Sequence, residues 1–227
     1  MSWGELVASA RLEGGAVLLR PATRADRDAV YAVAMDPEIW RYFVSRVATD
    51  ADFARFFDTM LADHAAGRRA VFLVVDKASG RIAGSMSYGN LSEADQRLEI
   101  GWSWLGREYR GRGVNRPAKR LLLRYAFETL GAERVEFKTD VLNLAARAGL
   151  RGIGAVEEGV LRSYNPMPDG RRRDAVYYSV LRAEWPAVDR LLSTAAERAE
   201  AAERAEAAER AEAAERAEAA EPAGAAP

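Results

Sequence analysis

The stretch Tyr109-Arg110-Gly111-Arg112-Gly113-Val114-Asn115 lies between an apolar, strand-like run ending at Trp104 and an amphipathic, helix-like run beginning near Pro117. A strand that turns through glycines into a helix start leaves backbone N–H groups converging on one spot. The first four N–H groups of a helix have no intrahelical partner and the macrodipole is positive there, so the spot favours an anion. Phosphate is the usual one. The stretch therefore predicts a phosphate-bearing ligand held between a strand and a helix.

Outward from this turn, the pattern alternates between helical and strand spacing. Pro117 suits the first turn of a helix, where its missing N–H costs nothing; Ala118, Leu121, Leu122, Tyr125 and Ala126 form the helix's apolar stripe and Gly131 ends it. Upstream, Gln96 to Trp104 reads as a strand, and Val71 to Asp76 and Arg81 to Tyr88 as a hairpin turning at Lys77-Ala78-Ser79-Gly80. Further upstream lie a short strand over Val17 to Arg20, a helix capped by Thr23 with Asp26 three residues on, and a helix over Asp50 to Ala66. Downstream come a strand over Arg134 to Thr139, a short helix over Leu144 to Gly152, strands over Val156 to Tyr164 and Ala175 to Leu181, and a last helix starting near Glu184-Trp185-Pro186. The early strands are hairpin-linked and the later ones joined through helices. This predicts an α/β chain with a central mixed sheet of about seven strands and helices on both faces.

The chain has 227 residues, 49% of them hydrophobic, enough for one sizeable core. It has no Cys, and its one His is His64, so thiolate nucleophiles, disulfides, a histidine-based triad and a Cys/His metal site are excluded; no metal is expected. The N-terminus lacks a signal pattern and no apolar run is long enough for a span, so the expected location is the cytoplasm. Net charge is −1 overall. From Ala195 onward there are nine Glu and four Arg, against 29 basic and 25 acidic residues before it. The mildly basic body suits a small anionic ligand and is too weakly charged to argue for nucleic acid. From Ala195 the hexamer Ala-Ala-Glu-Arg-Ala-Glu repeats four times. Its period matches neither 3.5 nor 3.6, so no apolar seam forms and a solvated helical spacer is expected. The division is then a single domain over 1–194, the spacer over 195–221 and a disordered tail over 222–227.

Three phosphate-binding patterns compete for the glycine turn. The P-loop needs Lys and Ser or Thr after its second glycine, where this chain has Val114-Asn115-Arg116. The dinucleotide fingerprint needs a third glycine, where Arg116 stands, and belongs after a first strand, whereas several strands precede it here. The third pattern, Arg/Gln-x-x-Gly-x-Gly/Ala, is the coenzyme A pyrophosphate loop, and Arg110 to Asn115 fit it except at the last place. With Leu98-Glu99-Ile100-Gly101-Trp102-Ser103-Trp104, Val135 to Asp140, Asn143 and Gly154-Ala155 in that order, the chain resembles a GNAT-superfamily acetyltransferase. Asn115 in the last place is similar to the branch that acetylates ribosomal-protein N-termini at serine or alanine. The likeness runs from Leu18 to Pro186.

The resemblance implies acetyl-CoA as the donor and direct attack by a primary amine, either a protein N-terminus or a small aminated metabolite. Its implied cofactor contacts are Arg110, Gly111, Arg112, Gly113, Val114 and Asn115 at the pyrophosphate, Trp102 and Trp104 on the strand beside the pantetheine arm, and Asn143. The strands numbered four and five in the sequence reading, ending at Trp104 and starting at Arg134, would splay to admit that arm. Proton transfer needs a base for the amine, and Glu99 is the candidate. By strand alternation Glu99 shares a face with Gly101 and Ser103, opposite Leu98, Ile100 and Trp102; a paired or surface glutamate is the other reading. The family's hydroxyl donors to the leaving thiolate fall at Leu150 and Ala146, so Ser103 and Tyr164 are the substitutes. Asn143 is equally suited to capping the helix over 144–152.

Two other classes of function stay open on sequence alone. One is a non-catalytic acyl-CoA-binding module with a partner-recruiting tail, suggested by the absent hydroxyls. The other is an RNA-associated protein working through Arg171-Arg172-Arg173, which reads as a solvated turn. The rings of Trp40, Tyr42, Phe43, Phe53, Phe56 and Phe57 surround the first two helices, which in the resembled fold line the acceptor groove. A homodimer paired along a sheet edge is a further expectation of the resemblance.

Overall fold

The computed structural model describes residues 1–193; the hexamer repeat and the tail lie outside them. Among the described residues eight strands form one sheet: β1 (Leu12–Gly14), β2 (Val17–Pro21), β3 (Arg69–Asp76), β4 (Ile82–Ser92), β5 (Arg97–Leu105), β6 (Arg134–Asp140), β7 (Val156–Pro166) and β8 (Arg172–Leu181). Their spatial order is β1-β2-β3-β4-β5-β6-β8-β7. Every neighbouring pair is antiparallel except β5 and β6. The helices are α1 (Trp3–Ala8), α2 (Arg27–Ala34), α3 (Pro37–Trp40), α4 (Asp50–Ala65), α5 (Asn115–Arg124) and α6 (Leu144–Gly152), with a further helical segment over 185–193.

Two core layers sandwich the sheet, and β3 shows how. Its apolar run is buried on both faces: Ala70, Phe72 and Val74 enter the larger core, and Val71 and Leu73 the smaller one. The larger core holds α1, α5 and the 185–193 segment; the smaller one holds α2, α3 and α4. Tethers from buried aromatic residues fix the layers. Tyr88 on β4 donates its hydroxyl to the Leu122 carbonyl of α5. The Trp3 indole donates to the Leu130 carbonyl at 2.7 Å, and the Trp40 indole to the Ala34 carbonyl at 2.7 Å.

The sequence reading missed α1 and the three-residue β1, which raises the strand count from seven to eight. The cause of α1 is legible in hindsight: Ser2 and Glu5 form a capping box, and Trp3 and Val7 supply a short buried face. β8 begins at Arg172 rather than Ala175, and β7 runs to Pro166, so Arg172 and Arg173 are strand and not turn residues. α5 passes at Tyr125 into a π-helical turn that Gly131 closes in the left-handed conformation, φ 76°.

The sheet opens at its centre. β6 pairs with β5 only at Arg97↔Arg134, Leu98↔Val135 and Glu99↔Glu136. Beyond Glu99 that edge of β5 has no strand partner among the described residues, and the two parallel strands diverge. This is the expected splay, here between β5 and β6.

Candidate acetyl-donor cleft and acceptor face

A bulge redirects β5 where the gap begins. Ser87 pairs with Gly101 and Ser85 with Trp104, so three steps along β5 answer two along β4. Trp102 sits at the extra residue with φ 49°. The bulge switches the parity of the strand. Leu98 and Ile100 join the larger core, but past the bulge it is Leu105 that does so, and Trp104 joins the smaller one.

This corrects the face assigned to Trp102. A Cβ placed on Gly89 would lie 2.3 Å from the Trp102 ring. Gly89 pairs with Glu99, so the ring covers the Glu99 face rather than the opposite one. A side chain at 89 would collide with the indole, so the glycine there makes room for the ring. The Arg69 guanidinium stands 5.0 Å from the indole on the same side, and its partner Asp63 lies 2.9 Å away.

One cleft of about 840 Å³ occupies the gap. At one end it is lined by Arg110, Gly111, Asn115 and Lys119, and at the other by Glu99, Lys138, Tyr164 and Arg173. Ile100 and Phe137 of the larger core line it alongside Glu99 and Lys138 of the opposite face, so the cleft crosses the sheet. A second hollow of about 460 Å³ lies between α4 and β3–β5, and Phe43, Trp102 and Trp104 line both. Of the sequence's aromatic cluster, Trp40, Phe53 and Phe57 are core, whereas Tyr42, Phe43 and Phe56 line these hollows.

At the α5 end, Gly111 and Gly113 adopt φ 76° and 77°, a conformation in which only glycine is unstrained. The chain thereby turns from a single 3₁₀ turn over Arg107–Tyr109 into α5. The N–H groups of Asn115 and Arg116 belong to the helix's unpartnered first turn, and Pro117 has none to leave exposed. The Arg110 side chain donates from Nε to the Leu105 carbonyl at 2.9 Å and approaches Asp36 at 3.4 Å, bracing the loop against the end of β5. Arg112 is exposed, and Val114 is buried in the core beneath the loop.

Lys119 is buried beside the Phe137 ring at 5.7 Å and makes no ion pair among the described residues. Burial pulls its ammonium from 10.5 down to about 8. Between those values the folded chain binds fewer protons than the unfolded one, so this group makes stability rise with pH across that window; below pH 8 its cost is fully present. Lys119→Met is expected to raise stability at pH 7 by about 2–3 kcal/mol and to remove that part of the pH slope. Thermal melts of both proteins at pH 7 and 10 check this: an unchanged or lowered melting temperature at pH 7 contradicts it.

At the other end Glu99 is buried. Its Oε2 accepts from Asn90 Nδ2 at 2.8 Å and from Lys138 Nζ at 3.3 Å. It is thus a paired glutamate, and it also lines the cleft. Tyr164 and Tyr177 share a hydroxyl–hydroxyl bond of 2.9 Å, with Lys138 Nζ 5.1 Å from the Tyr164 ring. The bond from Tyr177, then the Lys138 charge, lowers the Tyr164 phenol below its ordinary value. Ser103 also lines the cleft, but the bulge puts it on the Leu105 side of β5 rather than on the Glu99 face expected for it, with its Oγ 3.4 Å from the Gly101 carbonyl. Asn143 caps α6, its Oδ1 accepting from Ala146 N at 3.0 Å, and lines the cleft too. The cleft thus gathers Glu99, Trp102, Ser103, Trp104, Arg110, Gly111, Asn115, Asn143 and Tyr164; Arg112, Gly113 and Val114 are not among its lining residues. Ala146 and Leu150 line it without a hydroxyl.

The arginine triplet does not form a solvated turn. Arg171 pairs with the fully buried Asp140, Arg172 Nε bonds Ser163 Oγ at 2.9 Å, and Arg173 is buried in the cleft wall. Sequence spacing gave no sign of these three separate fates. No cluster of three or more His, Cys, Asp or Glu side chains suited to a metal ion occurs among the described residues, and none of their helices is long and apolar enough to cross a membrane.

A mixed sheet splayed beside a glycine-turned helix start defines an acetyltransferase fold of the GNAT type. The model of the acetyltransferase (GNAT) domain matches residues 16–156, and the chain belongs to that family, whose acetyl donor is acetyl-CoA. It is similar to the putative ribosomal N-acetyltransferase YdaF of Bacillus subtilis (strain 168), with 39% identity over 106 residues that span 47% of this chain and 57% of that protein. The solved GCN5-related N-acetyltransferase from Brucella melitensis superposes with a TM-score of 0.76 at 27% identity, covering 82% of this chain and 84% of that one. Mycobacterium smegmatis RimJ, solved in complex with CoA-disulfide, shares the fold at 24% identity and a TM-score of 0.68, over 82% of this chain and 93% of that one.

Proposed function

We propose that this chain moves an acetyl group from acetyl-CoA to a primary amine by direct attack. The observation that carries the reading is the single cleft running from the glycine loop, through the gap between β5 and β6, to Glu99. The N–H groups of Arg112 to Asn115 would hold the pyrophosphate, with Arg110 bracing the loop and the Lys119 ammonium on the same side of the cleft. The pantetheine arm would pass between the strands beside Trp102, Trp104 and Asn143. Its thioester would then reach the Glu99 face, where a backbone N–H near Trp104 would answer the carbonyl oxygen as it becomes an oxyanion. Glu99 takes the proton of the incoming ammonium, the amine nitrogen bonds to the carbonyl carbon, and the C–S bond breaks. The leaving thiolate takes a proton from Tyr164, the hydroxyl that the cleft offers on this face, and the second proton shed by the attacking nitrogen restores that hydroxyl. No enzyme nucleophile is involved, in keeping with a Cys-free chain.

A panel of free amines and peptides with free N-termini, incubated with acetyl-CoA, tests this through released thiol and acetylated product. Acetyl-CoA-dependent product on at least one amine is expected. Tight CoA binding with no turnover on any amine would instead support a non-catalytic acyl-CoA-binding module whose C-terminal repeat recruits a partner, a reading favoured by Ala146 and Leu150 where hydroxyls are expected. The single acetyltransferase domain over 1–194, a cytoplasmic setting and pairing of two copies along a sheet edge belong to the same proposal.

A further inference from the structure

Arg173 is a cation without a visible purpose in the fold. Only 8% of it is exposed, and its Nε is buried without a hydrogen-bond partner. It makes no ion pair among the described residues. Burying a guanidinium Nε in a cleft wall with no hydrogen-bond or ion-pair partner is unfavourable, so a partner is expected when the site is filled. Its surroundings are already committed. Asp140 accepts from Arg171 and from Leu142 N at 3.0 Å, and Glu99 accepts from Asn90 and Lys138. Two cations bond these two carboxylates, and Arg173 feels their charge without bonding either.

Its position points to the acceptor rather than the donor. Register places Lys138 opposite Tyr177 and Asp140 opposite Ala175, so Arg173 lies on the face of β8 shared with Lys138 of β6. The Lys138–Glu99 contact makes this the Glu99 face, across the sheet from α5. Asn165 of β7 is the cross-strand partner of Arg173 and lines the same cleft. Its Oδ1 is also buried without a partner. A free donor and a free acceptor therefore stand side by side, next to the candidate base. A single negative charge balances one guanidinium, and a planar carboxylate matches its fork. The neighbouring amide oxygen suits an N–H of the same molecule.

Resting on the acetyl-transfer reading above, we propose that Arg173 and Asn165 form a subsite for a carboxylate of the acceptor, which makes the substrate class amines that carry a carboxylate. The carboxylate has two possible sources, the α-carboxylate of a free amino acid or an acidic side chain near a peptide N-terminus.

Matched acceptors separate these sources. One arm compares α-amino acids with their α-amides. The other compares C-terminally amidated tripeptides with Asp or Asn at the second position. In at least one arm the wild-type protein is expected to prefer the carboxylate by about tenfold or more in kcat/KM. Arg173→Met should bring that ratio close to one, and Arg173→Lys should keep part of it. A wild-type ratio near one in both arms overturns the proposal. So does a ratio that survives Arg173→Met, including the case where that change only weakens acetyl-CoA binding. Should Arg173→Met fail to fold, the wild-type ratio and its reduction in Arg173→Lys decide. Calorimetry of the same pairs against CoA-loaded protein keeps the two proposals apart. Carboxylate-dependent binding without turnover upholds the subsite and refutes acetyl transfer; turnover without carboxylate preference does the reverse.

Discussion

Glu99→Gln lowers kcat by about 10²- to 10⁴-fold while leaving the Kd for acetyl-CoA within about twofold, the range expected when a general base is lost. The substitution is conservative where Glu99 sits. A glutamine still offers one oxygen to Asn90 Nδ2 and Lys138 Nζ, the two groups that Glu99 now satisfies at 2.8 and 3.3 Å. What it cannot do is accept the ammonium proton. The defect should therefore shrink as pH rises toward the acceptor's own pKa, because more of the amine then arrives neutral. Stopped-flow detection of released thiol against pH, for both proteins, checks this. A Glu99→Gln enzyme with wild-type kcat, or a loss that appears only in acetyl-CoA affinity, would make Glu99 a structural partner of Lys138 and nothing more.

Gly111→Val weakens acetyl-CoA binding by about a hundredfold, and Gly80→Val does not. The pair is matched. Gly111 has φ 76° and Gly80 φ 68°, and a Cβ at either meets nothing within 4 Å. Both changes force a β-branched residue into the left-handed region, at a cost of about 1–2 kcal/mol in stability. Only Gly111 lines the cleft; Gly80 closes the β3–β4 hairpin, its N–H bonded to the Asp76 carbonyl at 2.8 Å. A valine at 111 turns the loop's N–H groups off their common point, and each lost bond to a charged oxygen is worth about 1.5–3 kcal/mol. Calorimetric titration with acetyl-CoA, alongside melting curves, separates the effects. Equal affinities in the two variants would remove the loop from the donor site.

Much of this architecture could be read from the chain because its signals are local. Alternation gave the strands, and Pro117 and Gly131 bracketed the helix after the loop. Thr23 with Asp26 gave the second helix start, confirmed by Asp26 accepting from Thr23 N at 2.8 Å. What escaped detection was either brief or set by a partner strand. β1 is three residues long, too short to show a period. The bulge at Trp102 could not be seen, because Leu98-Glu99-Ile100-Gly101-Trp102 alternates without a break; the shift is imposed by the pairing with Ser85 and Ser87. Likewise Arg171, Arg172 and Arg173 are chemically identical in sequence, and only their partners across β6 and β7 separate a buried ion pair, a surface bond and an unpartnered cation. The glycine-turned helix start beside the cleft was thus legible from spacing, whereas the juxtaposition of Glu99, Lys138, Asn165 and Arg173 depends on residues distant in sequence.

The most direct test of the donor site is a crystal structure of the CoA complex. The pyrophosphate is expected within hydrogen-bond reach of the N–H groups of Arg112 to Asn115, the pantetheine arm between β5 and β6, and the sulfur emerging on the Glu99 face beside Trp104. CoA bound elsewhere, or entering the gap with its sulfur on the α5 side of the sheet, would contradict this account.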